Sequence, residues 1–399
     1  MSPGPVRRVV LAAAGAGWEA AAVRELEAAR DLVLVRRCVD LAELVAVTQA
    51  GGVSVAAVDL SVPGLDLETV RAVQAAGVGL VGLGPAERAE ALGIEVVGSS
   101  ADVLGAVRAL SLPAAGHREA GAPADAHVVD GDGAGPSRAP LVVVWGPAGA
   151  PGRSTVALAL ADALGRPDRR CVLVDADTYG GAQAQQLGLL DEVSGLMAAC
   201  RVANQARDVD LGTHLQEVRP GLAVLTGIPR PDMWIHVRRA ALERVVEHLR
   251  GDAEVLVADA GFCLEPGEGV AGAGRNQATA ALLELADVVV AVGRADPVGL
   301  TRLVRGLHDL ADLGVTAPLV VLNQVRDGIG WSVDELVATV QRLAGTAPAA
   351  ALAHDAPTLD TAALRGATAR EVQESSPFVT GVATLAEQVL AVTGAAPTA

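Results

Sequence analysis

Trp145-Gly-Pro-Ala-Gly-Ala-Pro-Gly-Arg-Ser-Thr155 decides the fold of the larger part of this chain. The run follows the apolar strand Leu141–Val144 and opens the Ala/Leu-rich helical segment Val156–Leu164. A strand, a Gly-rich turn and a helix with hydroxyl residues in its first turn together build a phosphate cradle. Successive backbone N–H groups converge on the anion, and the positive end of the helix dipole faces it. The lysine that such loops use is absent, and Arg153 stands in its place.

Downstream of the loop, short Val-rich runs alternate with helical patterns. Strands are expected at Leu141–Trp145, Cys171–Val174, Leu222–Leu225, Val255–Ala258, Val288–Val292, Leu319–Leu322 and Ala349–Leu352. Helices are expected at Met233–Leu249, Asn276–Leu285, Pro297–Leu313, Val333–Ala344 and Pro377–Thr393. Upstream, strands at Val9–Ala12, Leu32–Val35, Val55–Leu60, Gly79–Leu83 and Glu95–Val97 alternate with helices, a (βα)5 pattern. Both halves therefore predict an α/β fold class with two doubly wound parallel-sheet domains. The expected divisions are a first domain over 6–111, a flexible linker over 112–139 rich in Ala, Gly, Pro, Asp and His, and a second domain over 140–396.

Composition agrees with that layout. Of 399 residues, 51% are apolar but only 2% aromatic, so Ala, Val, Leu and Gly must fill the cores, as in sheets sandwiched by helices. A formal charge of −16 argues against passive binding to nucleic acid or anionic membranes. Cys38, Cys171, Cys200 and Cys263 have no metal-ligand spacing and read as reduced, mostly buried thiols of a cytoplasmic protein. Arg7-Arg8 followed by Val9–Gly17 imitates a signal peptide. The apolar run is short, however, and a periodic helix follows directly, so it reads as a first strand. No segment has the length of a membrane span, and the last helix carries no basic face.

The second domain resembles the MinD/ParA group of P-loop ATPases. Gly149, Ala150, Gly152, Arg153, Ser154 and Thr155 fall on the end of that group's phosphate loop. The resemblance implies ATP and Mg²⁺ as cofactors, with Ser154 as the hydroxyl ligand of the metal. Cys171-Val-Leu-Val-Asp175-Ala-Asp177-Thr-Tyr-Gly-Gly181 is similar to the group's strand ending in an Asp-x-Asp pair. It implies that Asp175 lies near the metal and that Asp177 positions the attacking water. Val255-Leu-Val-Ala-Asp259-Ala-Gly261 resembles a Walker B strand, with Asp259 as a further metal residue. Leu319-Val-Val-Leu-Asn323-Gln matches the strand whose asparagine reads the adenine edge. The order of these elements is more specific than any one of them.

The loop also departs from the pattern. Pro147 replaces a glycine, and Ala148 replaces the signature lysine that in relatives reaches across an ATP-bound dimer. Pro151 deletes one backbone N–H, and Arg153 is a planar fork where the group has a compact point charge.

Val58-Asp59-Leu-Ser-Val-Pro63-Gly64-Leu-Asp66 gives the first domain a resemblance to a response-regulator receiver. The acidic pair after strand one is replaced by Ala12-Ala13-Ala14, and no lysine follows strand five, so a pseudo-receiver without acyl-phosphate chemistry is expected. A degenerate receiver fused to a MinD/ParA-type domain is the layout of the CpaE/TadZ group. That layout implies an ATP-dependent homodimer, recruited to the membrane or pole by protein partners of a pilus, secretion or division apparatus. A catalytically degenerate scaffold acting through protein contacts is the alternative. A dinucleotide-binding enzyme is disfavoured because Gly146, Gly149 and Gly152 do not form G-x-G-x-x-G. Arg238-Arg239 and Arg302/Arg305 are the only hints of a basic patch and read as solvated helix faces.

Overall fold

Short Val-rich runs joined by amphipathic helices bury their apolar surface most completely as parallel sheets covered on both faces. The computed structural model, which describes residues 6–13, 15–99, 101–111, 138–189, 193–205, 210–266, 274–326 and 330–394, contains two such sheets. The chain separates into two compact units, Met1–Ser137 with Asn204–Arg207, and Arg138–Ala203 with Asp208–Ala399.

In the first unit the order is β1 (Arg7–Ala12), α1 (Glu19–Ala28), β2 (Leu32–Cys38), α2 (Leu41–Gln49), β3 (Val55–Asp59) and α3 (Leu67–Ala75). It continues with β4 (Gly79–Leu83), α4 (Ala86–Ala91), β5 (Val96–Gly98) and α5 (Val103–Ala109). The strands are parallel in the order β2-β1-β3-β4-β5, the flavodoxin-like arrangement. Three helices start where an aspartate can cap them. Asp40, Asp66 and Asp102 accept from the backbone N–H groups of Glu43, Thr69 and Gly105.

In the second unit β6 (Leu141–Trp145) leads through the Gly-rich loop into α6 (Arg153–Leu164). Next come β7 (Cys171–Ala176), α7 (Gln183–Gln186), α8 (Gly195–Ala203), β8 (Gln216–Arg219) and β9 (Leu222–Leu225). Then follow α9 (Arg239–Asp252), β10 (Val255–Ala260), α10 (Gln277–Leu285), β11 (Val288–Arg294), α11 (Pro297–Asp312) and β12 (Leu319–Val325). The unit closes with α12 (Val333–Ala344), β13 (Ala350–Ala353), α13 (Ala356–Arg365), α14 (Ala369–Val372) and α15 (Pro377–Thr393). The sheet order is β13-β12-β11-β6-β10-β7-β9-β8, with β6 and β10 at its centre. Leu141, Val143 and Trp145 of β6 enter one apolar core, and Val142 and Val144 enter the core on the opposite face. This period-two division makes the sheet doubly wound.

The expected strands all form, and β7, β10, β11 and β12 run on past their apolar residues. In β7, β10 and β12 the added residues include Asp175, Asp259 and Asn323, and the ladder continues through them. β8 escaped the sequence pattern because Gln-Glu-Val-Arg is a polar edge strand. It pairs antiparallel with β9 across the turn at Gly221, whose φ is +85°. The helix expected over Met233–Leu249 divides into a 3₁₀ turn at Pro231–His236 and α9. Helices α8, α13 and α14 were not anticipated. The expected linker lies outside the described residues through 137. Ala139, however, is buried in the second core and donates its N–H to the Arg250 carbonyl. Cys38, Cys171 and Cys200 are buried and free, and burial pushes the Cys171 thiol up to about 12. Among the described residues no helix is long and apolar enough to cross a membrane.

Candidate functional site

The loop between β6 and α6 owes its shape to backbone that few side chains tolerate. Gly149, Ala150 and Gly152 have φ of +113°, +54° and +90°, and Gly152 is the residue from which α6 starts. Left-handed residues this close together turn successive amides toward one side, the geometry of an anion-binding nest at a helix N-terminus. Neighbouring side chains also fill the space that a Cβ would take. A Cβ on Gly152 would lie 2.4 Å from Asn323 Nδ2, and one on Gly149 2.0 Å from Arg302 Nη1.

Three side chains hold the loop from outside. Asn323, at the end of β12, is buried and donates Nδ2 to the Pro151 carbonyl at 2.8 Å. Gln324, itself at φ +61°, donates Nε2 to the Ala150 carbonyl at 3.1 Å. Arg302 of α11, on the solvated face expected for it, donates Nη1 to the Ala148 carbonyl at 3.2 Å. Arg239 is likewise tied up, by Glu243 and Glu284.

Arg153 does not point outward. Its Nη1 donates to the carbonyls of Gly146 at 3.1 Å and Pro147 at 3.4 Å, and its Nη2 donates to Asp177 Oδ2 at 3.2 Å. Both partners are nearly enclosed, with side-chain exposures of 12% and 4%. The guanidinium carbon sits 5.8 Å from the centroid of the Phe262 ring, which packs against Tyr179 at 4.7 Å with the two planes tilted by 47°. Asp177 is held on its other oxygen by the Tyr179 N–H at 2.8 Å.

Beneath the loop, the ends of β7 and β10 place Asp175 and Asp259 opposite one another in register. Gln183 of α7 ties them together. Its N–H donates to Asp175 Oδ2 at 3.0 Å, and its Nε2 donates to Asp259 Oδ2 at 2.8 Å and to the Ser154 carbonyl at 3.0 Å. Each carboxylate keeps one oxygen, Oδ1, buried with no partner among the described residues, as does Arg153 Nε. Burial pushes the Asp175 carboxyl up, and the neighbouring Asp259 charge pushes it further. Burial also raises Asp259, while the Ser154 hydroxyl and the Gln183 amide pull the other way. Two buried, mutually repelling carboxylates with orphaned oxygens form a place where a divalent cation would relieve both costs. Among the described residues no three His, Cys, Asp or Glu side chains are placed to hold a metal ion together. A cation here would therefore keep several waters, the habit of Mg²⁺.

The residues singled out from sequence thus converge. Ser154 and Thr155 sit in the first turn of α6, Asp175 lies near the end of β7 with Asp177 just past it, Asp259 lies near the end of β10, and Asn323 lies on β12 against the loop. Sequence reasoning missed Gln183, Phe262, Tyr179 and the loop contact of Arg302. Gln183 follows the Asp-x-Asp pair at no diagnostic spacing. The loop contact of Arg302 depends on packing of α11 that no local pattern records.

No family model matches the chain, and no curated protein does. Solved structures match in fold. MinD of Pyrococcus horikoshii OT3, complexed with Mg-ADP, is 20% identical over 64% of this chain and 98% of that one, with a TM-score of 0.52. The cell division ATPase MinD of Pyrococcus furiosus is 19% identical over 63% of this chain and 99% of its own, also at 0.52. A ParA family ATPase from Chlorobium tepidum TLS is 16% identical over 62% and 98%, at 0.52. The larger sheet therefore has the fold of the MinD/ParA P-loop ATPases.

Proposed function

We propose that the second unit is an ATP-binding switch of the MinD/ParA type with a slow hydrolytic step. One observation carries the reading. The left-handed turn Gly149–Gly152 opens α6 directly beside the orphaned oxygens of Asp175 and Asp259 and the guanidinium of Arg153. Triphosphate and divalent cation fit the donors present, because amides and Arg153 supply positive groups while the two carboxylates need a cation. Ser154, Asp175 and Asp259 would hold Mg²⁺, which when bound offsets phosphate charge and polarises the terminal phosphoryl group. Asn323 and Gln324 keep the loop in its open-turn shape. Arg153 exchanges its bond to Asp177 for a phosphate oxygen, which frees Asp177 to hold the attacking water. Arg302, at the Ala148 carbonyl, returns a cation to the flank where the signature lysine is missing.

The first unit, in this proposal, is a pseudo-receiver that docks protein partners. Asp59 has both oxygens occupied, Oδ2 by the Trp18 indole at 2.9 Å and Oδ1 by the Ser61 amide and hydroxyl at 2.8 and 2.6 Å. Its position corresponds to a phosphorylated aspartate, but no second acid stands at Ala12 or Ala13. The CpaE/TadZ-like layout then places the chain as a nucleotide-dependent homodimer that positions or assembles a pilus, secretion or division machine. The Pyrococcus horikoshii MinD complex with Mg-ADP supports the cofactor reading.

A second reading has a specific observation in its favour. The Arg153–Asp177 pair satisfies both residues inside the protein, as in a scaffold that keeps the fold without turnover. Phosphate release by the wild type, Asp177→Ala and Arg153→Lys separates the two. A rate lost in Asp177→Ala supports the switch. Equal, near-zero rates in all three support the scaffold.

A further inference from the structure

At the far end of α6, about 15 Å from Arg153 at 1.5 Å rise per residue, lies a second cavity. It has a volume of about 310 Å³ and is enclosed by the last turns of α6, the turn at 166–169, α14 and α15. Ala163, Val382, Ala386 and Leu390 supply apolar wall. The turn is rigid, since the backbones of Arg166 and Arg169 exchange two hydrogen bonds of 2.9 Å.

The cavity lining holds three arginines and three carboxylates, and they are not equally partnered. Asp162, buried at its floor, is fully engaged. Arg219 Nε donates to its Oδ1 at 2.6 Å, and Arg370 reaches Oδ2 through Nε and Oδ1 through Nη2, each at 3.1 Å. Arg169 is only 6% exposed, yet it has no such partner. Its Nε donates to the Leu164 carbonyl at 2.7 Å, while neither Nη atom makes a hydrogen bond and no carboxylate forms an ion pair with it among the described residues. Burial, with the like charge of Arg166, disfavours its charged form. Glu374 and Glu387 stand exposed at the rim. Arg169, largely buried, thus lines the cavity with no side-chain partner for its fork, and an anion entering there would gain a charge-assisted pair.

We propose that this cavity is a binding site for a small monoanion with an apolar body, of the medium-chain carboxylate class. The planar fork of Arg169 matches a carboxylate bidentately. The walls take an aliphatic chain, and the volume suits a ligand of that size. Asp162, Glu374 and Glu387 oppose a dianion such as phosphate. The site is separate from the phosphate loop and does not rest on the nucleotide reading.

Calorimetry of the full chain with octanoate, octylammonium and inorganic phosphate tests it. Octanoate is expected to bind once per chain, and the other two are not. Arg169→Met should weaken octanoate at least about tenfold, the loss of a charge-assisted pair. Ala383→Trp, an exposed substitution at the cavity mouth, should abolish it while far-UV circular dichroism stays unchanged. If Arg169→Met fails to fold, Ala383→Trp decides alone. Failure of octanoate to bind, equal binding of octylammonium, or full octanoate affinity in Ala383→Trp or a folded Arg169→Met would overturn the proposal. Titration of ATP with Mg²⁺ into Ala383→Trp should match wild type, so the outcome reads on this cavity alone.

Discussion

Arg153 and Asp177 form an ion pair of 3.2 Å between the first residue of α6 and the residue just past β7, both nearly closed to solvent. The two residues proposed to act on a nucleotide therefore neutralise each other when none is bound. Removing one partner leaves the other buried and uncompensated. Asp177→Ala should lower the unfolding free energy by about 3 kcal/mol, and the double variant Arg153→Met/Asp177→Ala should recover part of the loss. Urea unfolding of the wild type, Asp177→Ala, Arg153→Met and the double variant checks this. Additive losses would show that the pair does not couple.

The Asp175 carboxyl, pushed well above the usual carboxylate range by burial and by Asp259, has a pH signature of its own. A group whose folded pKa exceeds the unfolded value holds its proton in the folded state where the unfolded chain has lost it. Stability therefore falls as pH rises between the two values. Without divalent cation, the unfolding free energy should decline from about pH 5 to pH 8. Asp175→Asn should flatten that decline and add about 2 kcal/mol at pH 8. Chemical denaturation across that range, with chelator present, is the measurement.

Gly152→Ala meets Asn323 Nδ2 at 2.4 Å and imposes a left-handed alanine at φ +90°. It should cost about 1–2 kcal/mol of stability. Asn323→Ala, which orphans the Pro151 carbonyl, should cost a similar amount. Both should weaken nucleotide binding at least about tenfold, because they reshape the cradle and leave its charges in place. Thermal unfolding beside nucleotide titration separates the two effects.

In the first unit, Asp59 should take no label from acetyl phosphate, since Trp18 and Ser61 occupy its oxygens. Asp59→Ala should instead cost about 1–2 kcal/mol by leaving those donors unpaired. Intact-mass spectrometry after incubation decides the first point. A gain of one phosphoryl mass that disappears in Asp59→Ala would contradict it.

The central strands and the loop were legible because period-two Val runs, clustered glycines and strand-end acids are local signals. Asp175, Asp177 and Asp259 could be assigned to strand ends for that reason. The polar edge β8 and the short helix α7 bury too little apolar surface to leave a pattern. Gln183, which bridges the two acids, therefore gave no sign of its role. The direction of Arg153 was equally hidden. Its partners are backbone carbonyls within the loop and a carboxylate 24 residues away, and only tertiary packing brings them together. Asn323 could be placed at a strand end, but its bond to Pro151 belongs to the folded loop alone.

The central claim is that the loop at Gly149–Thr155 is a nucleotide site. Calorimetric titration of the full chain with ATP and Mg²⁺ tests it most directly, with Gly152→Ala as control. The account predicts one site per chain, lost or weakened at least about tenfold in the variant. No heat of binding from either ATP or ADP at millimolar concentration, with the wild-type chain folded, would contradict it.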